Sequence, residues 1–312
     1  MSDSGYAVVF PGQGSQLVGM LAPMAERYAV IEATFSEASQ VLGYDLWALA
    51  QNGPQEDMNL TEKTQPLLLA SSVAIWRVMR DLGAPTPSFL AGHSLGEFSA
   101  LVCAEVIGFA EAVDVVRQRG QFMQTAVPVG VGAMAAIIGL DDEKIREICA
   151  GLCSEEVVEA VNYNSPGQVV IAGHAAAVGQ AIDLCKAAGA KRALPLPVSA
   201  PFHTSLMQPA GEKLAAVIQA LDFSAPVIPI VHNVTAEPES EVDRIRAIMI
   251  EQIHSPVRWS ECVAYIALRG VTSFMECGPG KVLSGLCRRI DKSLSVVALE
   301  NPDVLEKAVA DI

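Results

Sequence analysis

The chain alternates short apolar runs with longer stretches in which apolar residues recur every three to four positions. YAVVF at 6–10 is the first unbroken apolar run and predicts a buried strand, which opens into the turn-rich PGQGSQ at 11–16. Helices follow. TQP at 64–66 predicts the start of one of them, with Thr64 as its cap and Pro66 in its first turn, running to about Leu82. After the Pro-rich break APTP at 84–87, SFLA at 88–91 predicts a second buried strand. EFSALVC at 97–103 carries helix formers with apolar residues on one face, and a further helix covers roughly 110–126.

The segment 132–197 reads differently. Strands are predicted at 133–139, 157–162 and 168–172 and near 193–196, with helices at 141–152 and 175–188. NSPG at 164–167 supplies the turn between the second and third strands. That order is β-α-β-β-α-β, the ferredoxin-like motif. Beyond it come a helix at 205–220, a strand at 227–231, a helix at 242–253, a strand at 272–276 and a helix at 282–289. Strand and helix alternating on both flanks predict a mainly parallel sheet. The expected α/β organisation is a large domain from 1–130 and 198–312, with a small subdomain, 131–197, inserted into it.

With 312 residues the chain is long enough for such an arrangement. No apolar run reaches the ~18 residues of a membrane span. MSDSG at the start has no basic region or signal core, so a cytoplasmic protein without membrane partners is expected. Seven cysteines without C-x-x-C spacing argue against a disulfide framework and a zinc site. Cys149 and Cys153 lie one helical turn apart with no further ligand nearby, and are expected to pack. A formal charge of −14 speaks against nucleic acid as a partner. Two phosphate-loop patterns also fail. Leu17 stands where a dinucleotide fingerprint beginning at Gly12 needs its third glycine, and Val282 follows Lys281 where a P-loop needs Ser or Thr. Neither metal nor cofactor is expected.

GHSLG at 92–96 lies between a predicted strand and a predicted helix, the setting of a nucleophile elbow with Ser94 at its tip. A serine hydroxyl needs a base, usually histidine. Of the five histidines, His93 adjoins Ser94 and is expected to point away from it. His174 lies inside the small subdomain, and His232 and His254 lie near element ends as structural residues. His203, in VSAPFHT at 198–204, sits where the chain leaves the inserted subdomain, a junction that would line an interdomain cleft. It is the candidate base. No carboxylate between Ser94 and His203 falls on an obvious strand-end loop, so the third member stays open and the order departs from that of an ordinary esterase.

FPGQGSQ at 10–16, TQP at 64–66, GHSLGE at 92–97, RQRG at 117–120, NYNSPGQVVIAG at 162–173, the His203 loop and GPGKVL at 278–283 resemble, in order, the malonyl-CoA:acyl carrier protein transacylases of bacterial type II fatty acid synthesis. The likeness implies an α/β-hydrolase-like core with a ferredoxin-like insertion. It implies transfer of malonyl from malonyl-CoA to the phosphopantetheine thiol of acyl carrier protein through malonyl-Ser94, with His203 oriented by the backbone carbonyl of Gln252. It places the oxyanion donors at the backbone N–H groups of Leu95 and Gln13 and the carboxylate-binding role at Arg119. Asn162 and Gln65 match polar pocket positions of the family, and Phe202 stands where related polyketide acyltransferases that select malonyl carry Phe and methylmalonyl enzymes carry Ser. Met123, one helical turn beyond Arg119, is expected either to line the same pocket or to pack in the core. Acyl carrier proteins are acidic, so the basic clusters Lys191-Arg192 and Arg288-Arg289 become candidate docking points. The alternatives are a transacylase for polyketide synthesis or malonate decarboxylation, a serine hydrolase on the same elbow, and a carrier-binding module without catalysis.

Overall fold

The computed structural model describes residues 5–152, 156–198 and 200–312; Cys153 and Ser199 lie outside them. Two sheets organise the chain. The larger has five strands in the order β7-β2-β1-β8-β9: β1 (Tyr6–Phe10), β2 (Phe89–Gly92), β7 (Ile230–Val231), β8 (Ser273–Glu276) and β9 (Ser295–Ala298). Every pairing in it is parallel. The smaller sheet, β4-β5-β3-β6, is antiparallel and built from β3 (Gly132–Ile138), β4 (Val158–Ser165), β5 (Gln168–His174) and β6 (Arg192–Pro195). With helices Asp142–Leu152 and Ala175–Ala187 between its strands, it has the ferredoxin-like order read from the sequence.

The unbroken apolar character of β1 follows from its central place in a sheet covered on both faces. Successive side chains point to opposite faces. Tyr6, Val8 and Phe10 enter the main apolar core, while Ala7 and Val9 enter a second core around Trp259 and Phe274 on the other face. The small sheet has its own core of Ala135, Ile137, Val169 and Ile171 against its two helices, and Cys149 packs there.

Three local expectations differ from the structure. The helix expected from Thr64 spans Thr61–Asp81, with Leu60 rather than Thr64 at its cap and Pro66 inside it. The Thr64 hydroxyl instead donates back to the carbonyls of Met58 and Leu60. The extra turn is held by tertiary contact. The helix Phe109–Thr125 crosses so closely that a Cβ on Gly120 would lie 2.6 Å from the Thr61 carbonyl oxygen and 2.7 Å from the Glu62 Cα. Strand β7 shortens to two residues, and β4 continues to Ser165 because its end pairs with Gln168 across the turn. The chain also adds β9 and the helix Pro302–Ala310, beyond the last element predicted from the sequence, the helix at 282–289.

The chain enters at β1 in the middle of the large sheet, moves outward through β2 to β7, then returns to β8 on the other side of β1. Loops leaving the C-terminal ends of β1, β2 and β7 therefore converge, the place where open parallel sheets bind ligands.

Candidate active site

Strand β2 ends at Gly92, and the helix Gly96–Cys103 begins four residues later. Between them Ser94 takes a left-handed backbone (φ 51°), strained for a residue with a side chain. Both flanking glycines are required by contact. A Cβ on Gly92 would fall 1.9 Å from the Gly96 carbonyl carbon, and one on Gly96 would fall 2.0 Å from the Phe10 carbonyl oxygen.

The Ser94 hydroxyl donates to His203 Nε2 at 2.7 Å. On the far side of the ring, His203 Nδ1–H donates to the Gln252 backbone carbonyl at 2.9 Å. That bond fixes the tautomer, leaving an unprotonated Nε2 facing the serine. Gln252 opens the 3-10 turn Gln252–His254, so its carbonyl is free of helical partners except the Ser255 N–H. Burial, and then the Arg119 charge, push His203 down to about 3, against the opposing pull of the Gln252 carbonyl. The imidazole is neutral at pH 7.

Arg119 is wholly buried. The close crossing of its helix over Thr61–Asp81 sets its Nη1 2.8 Å from Gln65 Oε1. Nη2 donates to Gln252 Oε1 at 2.8 Å and to Ser94 Oγ at 3.3 Å. Arg119 Nε is buried without a partner among the described residues. Burial lowers this guanidinium to about 10, partly offset by Glu97, so it stays cationic at neutral pH. Met123 is buried one turn on, where its sulfur accepts from Gln65 Nε2 at 3.7 Å.

The backbone N–H groups of Leu95 and Gln13 have no acceptor among the described residues. Gln13 lines a cleft of about 240 Å³ between the two sheets, with His93, Asn162, Asn164, Gln168 and Val282 around it. Asn162 Oδ1 is buried there without a partner among the described residues. His93 turns its Nε2 to Asn164 Oδ1 at 2.7 Å and rests against the Trp259 ring rather than meeting the serine hydroxyl. Phe202 is buried in the main apolar core and is not among the residues lining this cleft. The structure thus brings Ser94, His203, Gln252, Arg119 and Gln65 into one bonded cluster, sets Met123 against Gln65, and places Asn162 and Gln13 in the adjoining cleft.

Three buried residues behind the elbow went unread as site residues. Glu97 Oε1 meets His232 Nδ1 at 2.6 Å, and Glu97 Oε2 accepts from the Gln252 side chain at 2.7 Å and from the Asn233 N–H at 3.2 Å. Asn233 Oδ1 accepts from the Ser94 N–H at 2.7 Å. A signal existed for Glu97, a carboxylate followed by the apolar run FSALV, because a charge in such a setting must find buried partners. For His232 and Asn233, far away in sequence, there was none.

Residues 7–299 match the family model described as an acyl transferase domain. The malonyl CoA-acyl carrier protein transacylase of Salmonella typhimurium is 56% identical over 304 residues, covering 97% of this chain and 98% of that protein. An acyl carrier protein S-malonyltransferase from Vibrio cholerae superposes with a TM-score of 0.96 at 58% identity, covering 98% of this chain and all of the other. A malonyl-transacylase solved with a type II PKS acyl-carrier protein gives 0.98 at 53% identity, over 99% of this chain and 100% of that one. With these matches along nearly its whole length, the chain belongs to the acyl transferase domain family and is similar throughout to the malonyl CoA-acyl carrier protein transacylases.

Proposed function

We propose that the protein transfers malonyl from malonyl-CoA to the phosphopantetheine thiol of acyl carrier protein through a malonyl ester on Ser94, supplying fatty acid chain elongation. The observation that carries this reading is the wholly buried Arg119 guanidinium, 3.3 Å from a Ser94 hydroxyl that already donates to His203. An uncharged acyl group gives no reason to bury a cation beside the nucleophile, whereas a malonyl carboxylate does. The unpartnered Nε supplies a donor for it.

Ser94 Oγ attacks the thioester carbon as its proton passes to His203 Nε2, and the negative oxygen that forms is held by the free N–H groups of Leu95 and Gln13. Donors of this kind contribute roughly 3 kcal/mol each. Collapse breaks the carbon–sulfur bond, and the His203 proton goes to the departing CoA thiolate. In the second half the carrier thiol gives its proton to His203, its sulfur attacks the ester, and the carbon–oxygen bond breaks as the proton returns to Ser94. Because the Gln252 carbonyl is uncharged, it orients the imidazole but stabilises the imidazolium less than a carboxylate would. Asn162 and Gln13 in the cleft fit a role in holding the polar pantetheine arm.

The same chemistry serves a carrier of polyketide synthesis, and the likeness to the PKS complex supports that as the second reading. We further read 1–130 and 198–312 as one domain carrying 131–197 as an insertion, and place the reaction in the cytoplasm. No helix among the described residues is long and apolar enough to cross a membrane. Mass spectrometry of the intact protein after brief mixing with malonyl-CoA tests the mechanism. A malonyl adduct is expected on Ser94 and lost in Ser94→Ala; an unmodified wild type, or a modified Ser94→Ala, overturns it.

A further inference from the structure

The elbow holds Ser94 in a left-handed backbone that its own local sequence disfavours, so something outside the turn must keep it there. The polar groups of the turn are taken up by two side chains from distant loops. The Asn233 carboxamide bridges the turn, with Oδ1 accepting from the Ser94 N–H at 2.7 Å and Nδ2 donating to the Gly92 carbonyl at 2.6 Å. Gln252 Nε2 donates to the Ser94 carbonyl at 2.9 Å. Asn233 follows β7, the strand paired to β2, so Asn233 and Ser94 leave the sheet side by side at its C-terminal edge.

Asn233 is itself fixed. It is wholly buried, its N–H donates to Glu97 Oε2, and its carbonyl accepts from the Arg258 N–H at 3.2 Å. Glu97 is held in turn by His232 Nδ1, whose carbonyl accepts from the Cys262 thiol. The carboxamide's donor and acceptor therefore both meet the elbow, and its bonds go to the Gly92 carbonyl and the Ser94 N–H, the backbone that leads into the serine, rather than to any reacting atom.

We infer that Asn233 is a positioning residue, backed by Glu97, that sets the Ser94 backbone so that the hydroxyl faces His203 and the following Leu95 N–H faces the oxyanion. This rests on the reading of Ser94 as nucleophile. A residue acting in this way lowers the chemical step without touching the acyl carboxylate or CoA, so its removal should separate kcat from KM.

The experiment compares wild type, Asn233→Ala and Asn233→Asp. Asp differs in one group: it keeps an acceptor for the Ser94 N–H but puts an oxygen against the Gly92 carbonyl. Two readouts are taken below each protein's Tm, steady-state malonyl transfer and the second-order rate at which a fluorophosphonate probe labels Ser94. The probe needs the nucleophile, base and oxyanion donors but has no malonyl group. Asn233→Ala is expected to lose about 30-fold or more in kcat and in labelling rate, with KM for malonyl-CoA within about threefold. Asn233→Asp is expected to fall between the two. If Asn233→Ala does not fold, Asn233→Asp carries the test, with at least a fivefold loss in labelling. Wild-type labelling rates in folded variants, or failure of both variants to fold, overturn the inference while leaving the malonyl-Ser94 reading intact. A wild type that neither labels nor accepts malonyl at Ser94 overturns both.

Discussion

Replacing Arg119 by Ala removes the guanidinium that touches Ser94, Gln65 and Gln252. The site is closed off there, since Arg119 has no exposed surface, so a malonyl carboxylate entering the variant meets no cation and little water. Breaking a buried ion pair by removing one partner costs about 3–5 kcal/mol. At 1.36 kcal/mol per decade this is roughly a 10²- to 10⁴-fold loss in kcat/KM for malonyl-CoA. Water entering the vacated volume favours the lower end. Acetyl-CoA brings a methyl group in place of the carboxylate, so it loses only the long 3.3 Å contact to Ser94 Oγ and should change by less than about tenfold. The substitution also strips a donor from two buried amides while relieving a costly buried charge, so both substrates are assayed below the measured Tm. The diagnostic quantity is the ratio of kcat/KM for malonyl-CoA to that for acetyl-CoA, which should collapse toward unity. Equal losses for both thioesters would refute the reasoning and make Arg119 a scaffold residue.

Four further outcomes are expected. Because burial and the Arg119 charge hold His203 near 3, the base stays neutral as pH falls, and kcat/KM for malonyl transfer should persist from pH 7 to about 5.5; an acid limb centred near 6.5 would contradict this. The same depression means the unfolded chain binds a proton that the folded site refuses between about 6.5 and 3, so stability from this group is full above 6.5 and lost as pH falls through that window, measurable as a declining urea midpoint. Reversing charge at Arg192 or Arg289, both exposed, should raise KM for carrier protein more than KM for malonyl-CoA, and added salt should weaken the wild type; Arg289 reaches across to Gln168 in the cleft wall, whereas Arg288 already serves the Val296 carbonyl. Phe202→Ser should raise methylmalonyl-CoA turnover relative to malonyl-CoA by roughly 1–3 kcal/mol, since deleting the ring opens volume beside His203; an unchanged ratio in thioester competition would limit Phe202 to core packing.

What the sequence determined was local. Gly92 and Gly96 are demanded by backbone contacts within a few residues of Ser94 and from the adjacent strand, so their spacing announces the elbow directly. The βαββαβ order of the small sheet was legible because each strand and helix carries its own period. His203 was found by its place at a chain junction, which is a fact of sequence order. The Gln252 carbonyl was identified only through family likeness, because every residue has a carbonyl and no side chain marks this one. Tertiary structure alone decided the rest. The start of the helix at Thr61 depends on Gly120 pressing against it from another helix, a contact no capping pattern contains. The Glu97–His232–Asn233–Gln252 network joins residues up to 155 positions apart, drawn together because parallel strands deliver their loops to one edge. Its members are specified by the need to satisfy buried polar groups, and that requirement exists only once the chain has folded around them.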